Sequence, residues 1–120
     1  MIKDWNELAN GLTALVAQVR QGAPEAMKGF GALARGATQP GALDAKTKEL
    51  MALAIGIAVR CDGCLAFHAK AVAAQGGSRA EVMETIAMAV YMGGGPSLMY
   101  GAMALEAFDQ FAAKAPTAAA

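Results

Sequence analysis

DAKTKELMALAIGIAVRCDGCLAFHAKAVAAQGG, residues 44–77, decides the fold of this chain. Asp44 is of a type that accepts hydrogen bonds from the free N–H groups of a helix N-terminus. The residues that follow it, to Val59, are helix formers that are apolar on most faces after Glu49, the pattern of a central helix. A joint at Arg60 and Cys61 follows, and a second helix begins near Asp62, which can cap its free N–H groups, and runs to Gln75, where Gly76-Gly77 breaks it.

Pro and Gly punctuate the rest of the chain in the same way, with almost no β-branched runs between them. A first helix is predicted from about Asp4 to Gln21, with Asp4 as N-cap, Glu7 as its capping-box partner, and Leu8, Leu12, Leu15 and Val19 as an apolar stripe ended by Gly22. Pro24 suits the first position of a second helix, which carries Met27, Phe30 and Leu33 to about Arg35 before a turn at Thr38-Gln39-Pro40-Gly41. Ser78-Arg79-Ala80-Glu81 opens another helix through Met83, Ile86 and Val90 to about Met92, and Gly93-Gly94-Gly95-Pro96 ends it. The last helix, Pro96 to about Ala113, is predicted to turn Leu98, Met99, Ala102, Leu105 and Phe108 inward. The expectation is an all-α, single-domain bundle of about six helices over 1–120, with a core at 44–113, N-terminal helices in 1–43 and a flexible tail at 114–120. Met83, Met88, Met92, Met99 and Met103 are expected to fill the core or a subunit interface.

Composition narrows the function. Hydrophobic residues make up 56% of the 120 and charged ones 17%, an apolar balance that favours association of copies into a homo-oligomer. Ten basic residues offset ten acidic ones without clustering, which leaves no footprint for nucleic acid or an anionic membrane. The start of the chain, MIKDWNELAN, lacks the long apolar stretch of a secretory signal, so a cytoplasmic location is expected. The most apolar run, Leu50 to Val59, is half of the roughly 20 residues that span a bilayer as a helix.

Both cysteines and the single histidine fall within residues 61–68. A thiol reacts as its thiolate, and Cys61 and Cys64 straddle a helix start, where unpaired N–H groups favour negative charge. His68 follows Cys64 by four residues on the same helix face and can take its proton. If the two central helices are antiparallel, residue 49 falls beside residue 72, about 6 Å along the axis from His68. That gap closes directly or through one water, so Glu49, His68 and Cys64 can form a proton relay. Ala52 and Gly56 lie on the same face as Glu49 and permit close approach of the neighbouring helix. In a reducing compartment a CxxC pair is redox-active or metal-binding more often than a structural staple. Either cysteine can be the attacking thiol on these grounds alone.

Together these residues form the pattern E-x11-C-x2-C-x3-H. With the glycine-rich break and closing helix in GGGPSLMYGAMALEAF, it resembles the AhpD-like alkylhydroperoxidase group of the carboxymuconolactone decarboxylase family, over roughly Asp44 to Phe111. The resemblance implies a small all-helical protein that assembles into trimers or hexamers. It also implies a peroxidatic Cys64, a resolving Cys61, and proton transfer through His68 and Glu49. One departure is Gly63, where AhpD itself is expected to carry a second histidine; a weaker relay follows.

In the chemistry so implied, Cys64 thiolate attacks a small hydroperoxide and becomes a sulfenic acid, Cys61 condenses with it, and an external dithiol such as a lipoyl protein or a thioredoxin reduces the disulfide. No nicotinamide, flavin or phosphate-binding loop is present, so no bound redox cofactor is expected. The competing readings are a disulfide reductase without peroxidase activity, a lactone decarboxylase of the wider family, and a non-enzymatic helical oligomer that senses redox state or binds a metal such as zinc through Cys61, Cys64, His68 and Glu49. Decarboxylases are expected to lack the cysteine pair.

Overall fold

The computed structural model describes residues 1–114 of the chain. They form six helices: α1 Trp5–Gly22, α2 Pro24–Thr38, α3 Ala45–Ala58, α4 Asp62–Ala74, α5 Arg79–Gly93 and α6 Gly95–Lys114. The all-α reading therefore holds over the described residues. Lys114 belongs to α6, and the rest of the expected tail lies outside them.

Capping sets the boundaries much as the sequence indicates. The carboxylates of Asp4 and Asp44 accept from the amides of Glu7 and Thr47, and Ser78 and Glu81 complete a reciprocal capping box. The structure shows only the forward half of a box at Asp4. α2 runs one turn past Arg35 to Thr38, whose hydroxyl donates back to the Ala34 carbonyl.

Helices α3 and α6 pack on each other and each packs on both α4 and α5, α1 packs on α4 and α6, and α2 reaches the rest through α1 and α3. Trp5, Leu53, Ile57, Leu65, Val72 and Val82 are fully buried at the centre, each burial contributing roughly 1.5–3 kcal/mol. On α6 the inward face is Ser97, Gly101, Ala104, Ala107, Phe108 and Phe111. Of the predicted inward residues only Phe108 is buried; Leu105 is half-buried, Ala102 is exposed, and Leu98 and Met99 are 50% and 59% exposed. The physical reason is close approach. A Cβ on Gly101 would sit 2.6 Å from Cγ2 of Ile86, so α6 meets α5 closely through Gly101, and Leu98 and Met99 turn outward. Met83, Met88, Met92 and Met99 are likewise on the surface, and Met103 alone of the five packs against the core. In α1, Leu8 packs on the core, whereas Leu15 and Val19 are exposed.

Glu106 of α6 ties down the chain's first residues. Its carboxylate accepts the amides of Ile2 at 2.7 Å and Lys3 at 2.9 Å and the indole N–H of Trp5 at 2.9 Å. The Lys3 amide, then the Ile2 amide, then the Trp5 indole hold its carboxyl below the ordinary glutamate value. A carboxyl lowered on folding adds stability that is present above its unfolded value, near 4.5, and lost as pH falls through the lower folded value. The urea midpoint of the wild type is therefore expected to drop more steeply below about pH 4.5 than that of Glu106→Gln. Parallel curves would contradict this role.

Candidate functional site

The joint between α3 and α4 is a tight helix stop. The Cys61 amide donates to the Gly56 carbonyl at 3.0 Å and the Arg60 amide to Ile57 at 3.2 Å, with Arg60 at φ 59°. This paired closure through a left-handed residue is usually given to glycine; a side chain there costs about 1–3 kcal/mol. Arg60 is exposed and acts here through its backbone, at the end of α3.

Cys61 follows with extended backbone, φ −110° and ψ 102°, and it, not Asp62, is the N-cap of α4. Its Sγ accepts the Cys64 amide at 3.1 Å. Asp62 is instead the first helical residue, ion-paired with Lys3, whose ammonium also lies 5.6 Å from the Trp5 ring centroid. Lys3 is thus tied to the residue that follows Cys61, a contact between residues 59 apart that no local pattern announces. Cys61 and Cys64 are disulfide-bonded, with Cα atoms 5.2 Å apart. Both are half-buried at the start of α4, where the free N–H groups and the positive helix end stabilise a thiolate once the bond is reduced.

Gly56 brings α3 against this turn. A Cβ built on it would lie 2.8 Å from the Cβ of Cys64, so only glycine allows the observed approach. That contact sets the antiparallel register and puts residue 49 level with residue 71, about 4.5 Å beyond His68 along the axis. The Glu49 side chain spans the gap: its Oε2 lies 2.8 Å from Nδ1 of His68. Glu49 is 16% exposed and His68 34%, a site shielded on one side and open on the other. With the carboxylate accepting from Nδ1–H, the Nε2 lone pair of His68 is free to take a proton. His68 lies one turn beyond Cys64 on α4.

The four sequence-derived residues are thus gathered at one junction, Cys61 and Cys64 by a bond, Glu49 and His68 by a hydrogen bond. Gly63 faces the other way. A Cβ there would come 3.0 Å from Cδ1 of Leu12, so α1 occupies the space a side chain at 63 would need. Next to it, Thr13, Val16, Ala17 and Arg20 of α1 and Phe67 of α4 line a groove of about 400 Å³. Sequence reading missed this wall, because α1 and α4 meet through a contact far apart in the chain. Among the described residues no group of three or more His, Cys, Asp and Glu side chains is arranged to hold a metal ion, and no helix is long and apolar enough to cross a membrane.

Comparison with known proteins agrees with this architecture. A crystal structure of a carboxymuconolactone decarboxylase family protein from Legionella pneumophila, in its apo form, superposes with a TM-score of 0.88 at 49% identity, covering 90% of this chain and 96% of that one. A Thermotoga maritima structure superposes with a TM-score of 0.83 at 27% identity, covering 90% and 95%. An uncharacterized protein of Cupriavidus necator is 39% identical over 74% of this chain and 79% of its own length. An uncharacterized protein from the cox locus of Paracoccus denitrificans is 32% identical over 68% and 73%. Residues 24–107 match the carboxymuconolactone decarboxylase family, a span that begins well before Asp44 and takes in α2. With its fold and most of its length so matched, the chain belongs to the carboxymuconolactone decarboxylase family.

Proposed function

We propose that the protein is a thiol-dependent peroxidase of the alkylhydroperoxidase type, cycling Cys61 and Cys64 between dithiol and disulfide. The observation that carries this reading is the bonded CxxC pair at the start of α4, with the Glu49–His68 hydrogen bond one turn away. The Cys64 thiolate attacks the terminal oxygen of a hydroperoxide; the O–O bond breaks, the leaving alkoxide takes a proton, and Cys64 becomes a sulfenic acid. His68, oriented by Glu49, takes the Cys64 proton and returns it to the leaving oxygen. The Cys61 thiolate, favoured by its N-cap position, attacks the sulfenic sulfur and breaks its S–O bond, closing the disulfide as the expelled hydroxide takes the proton Cys61 gave up and leaves as water. A dithiol such as a lipoyl group or a thioredoxin supplies the two electrons that reopen it.

Assembly into a homo-oligomer, a trimer or hexamer, belongs to the same proposal. Exposed Met51, Ile55, Tyr91, Met92, Leu98 and Met99 support it, since so much apolar side chain favours covering by other copies. A lactone decarboxylase reading is less favoured, because it gives the cysteine pair no task.

The relay makes a kinetic prediction. Glu49→Gln keeps the shape of the side chain but removes the charge that orients His68, and general-base contributions run to about 10²–10⁴-fold. Peroxide reduction is expected to fall by about 10²-fold at neutral pH and to recover toward alkaline pH, where the thiolate forms unaided. Stopped-flow rates across pH check this. An unchanged rate and profile would remove Glu49 and His68 from the mechanism.

A further inference from the structure

One wall of the groove between α1 and α4 is Phe67, about one turn beyond Cys64 on α4. On α4, with about 100° between successive residues, Phe67 is turned about 60° to one side of Cys64 and His68 about 40° to the other. Cys64 therefore stands between the relay and the groove. Val16, Ala17 and Phe67 make the groove walls apolar. From Thr13 the lining extends seven residues, about 10 Å along α1, to a single cation, Arg20.

Arg20 is shared with a second groove of about 460 Å³, lined by Pro24, Met27, Lys28, Gly31, Ala34 and Arg35. Neither lining contains an acidic residue. Among the described residues no carboxylate forms an ion pair with Arg20, Lys28 or Arg35, whereas Lys3, Lys46 and Arg79 each have one. The arrangement is an apolar trough walled by Phe67, about one turn from Cys64, that ends on positive charge.

We infer that this groove binds substrate, and that the preferred substrate is amphiphilic: an aliphatic hydroperoxide whose far end carries an anionic headgroup, a carboxylate or a phosphate. This rests on the peroxidase reading for its chemistry. The alkyl chain lies against Val16, Ala17 and Phe67, the headgroup takes charge-assisted hydrogen bonds from the Arg20 guanidinium, and the peroxide is held toward Cys64. The reaction itself is unchanged, thiolate and hydroperoxide giving sulfenic acid and alcohol.

Two measurements test it. In the first, octanoate, octyl phosphate and octanol are titrated against the oxidised full-length protein by NMR, in wild type and Arg20→Gln. The exposed position of Arg20 lets the variant fold. The anions are expected to bind about tenfold or more tightly than octanol, and Arg20→Gln to abolish that difference. Whichever anion binds more tightly identifies the headgroup. In the second, turnover of a carboxylate-terminated aliphatic hydroperoxide is compared with that of its methyl ester; wild type is expected to prefer the acid in kcat/KM by about tenfold, and Arg20→Gln to lose the preference. Equal binding of octanol and the anions, with equal turnover of acid and ester, would overturn the groove assignment and leave the peroxidase reading intact. Arg20-dependent anion binding without turnover of any hydroperoxide would uphold the groove and sink the peroxidase reading.

Discussion

Serine in place of Cys64 is expected to abolish peroxide reduction, leaving only the uncatalysed background, because a hydroxyl lacks the thiolate that attacks the peroxide. Cys61→Ser should behave differently. It retains one round of chemistry, consuming a single equivalent of peroxide per chain and stopping at a sulfenic acid on Cys64 that no neighbouring thiol resolves. Steady-state turnover with a lipoyl dithiol is then lost in both variants, and the single-turnover burst survives only in Cys61→Ser. The structure gives the two sulfurs different settings: Cys61 Sγ caps α4 by accepting the Cys64 amide, and Cys64 sits on the face shared with His68. A burst in Cys64→Ser that is absent from Cys61→Ser would reverse the assigned roles.

The second large effect is expected from one methyl group. Gly56→Ala places a Cβ 2.8 Å from the Cβ of Cys64, with the Cys64 backbone carbonyl carbon only 3.7 Å away, so α3 and α4 must separate. Overpacking of this kind costs about 1–3 kcal/mol, and the shift also draws Glu49 away from His68, so peroxide turnover should fall more than tenfold. Gly11→Ala is the control. Gly11 lies within α1, and an added methyl there meets nothing within 4 Å, so alanine should stabilise by about 0.5–1 kcal/mol. Urea midpoints of the two variants are thus expected to move in opposite directions. A neutral Gly56→Ala would show that the packing of α3 on the cysteine turn is looser than described.

The candidate site was legible in the sequence because its geometry is local or nearly so. Cys61, Cys64 and His68 are spaced by helix periodicity, and Glu49 comes beside His68 once α3 and α4 run antiparallel about their short joint. Only the bond and contact details needed the structure, including the register that puts residue 49 level with 71 and the cap taken by Cys61 where Asp62 was expected. The buried face of α6 was not legible. Large side chains draw the eye to Leu98 and Met99, yet Gly101, Ala104 and Ala107 face inward because α6 must come close to its neighbours. That choice depends on what stands opposite, here Ile86, and periodicity in α6 carries no trace of it. The same holds for α1. Which part of its stripe meets the core is set by Leu12 against Gly63 and by the tie of Trp5 to Glu106, contacts 51 and 101 residues apart in the chain.

Electron exchange between the Cys61–Cys64 pair and a peroxide is tested by mass spectrometry of the fully reduced protein before and after one equivalent of an alkyl hydroperoxide. Loss of two hydrogens is expected in the wild type, mapped to a 61–64 disulfide, and gain of one oxygen on Cys64, trappable as a sulfenic acid, in Cys61→Ser. A wild-type protein that stays a dithiol under peroxide, while exchanging readily with a lipoyl or thioredoxin disulfide, would contradict the peroxidase reading and make the protein a disulfide reductase.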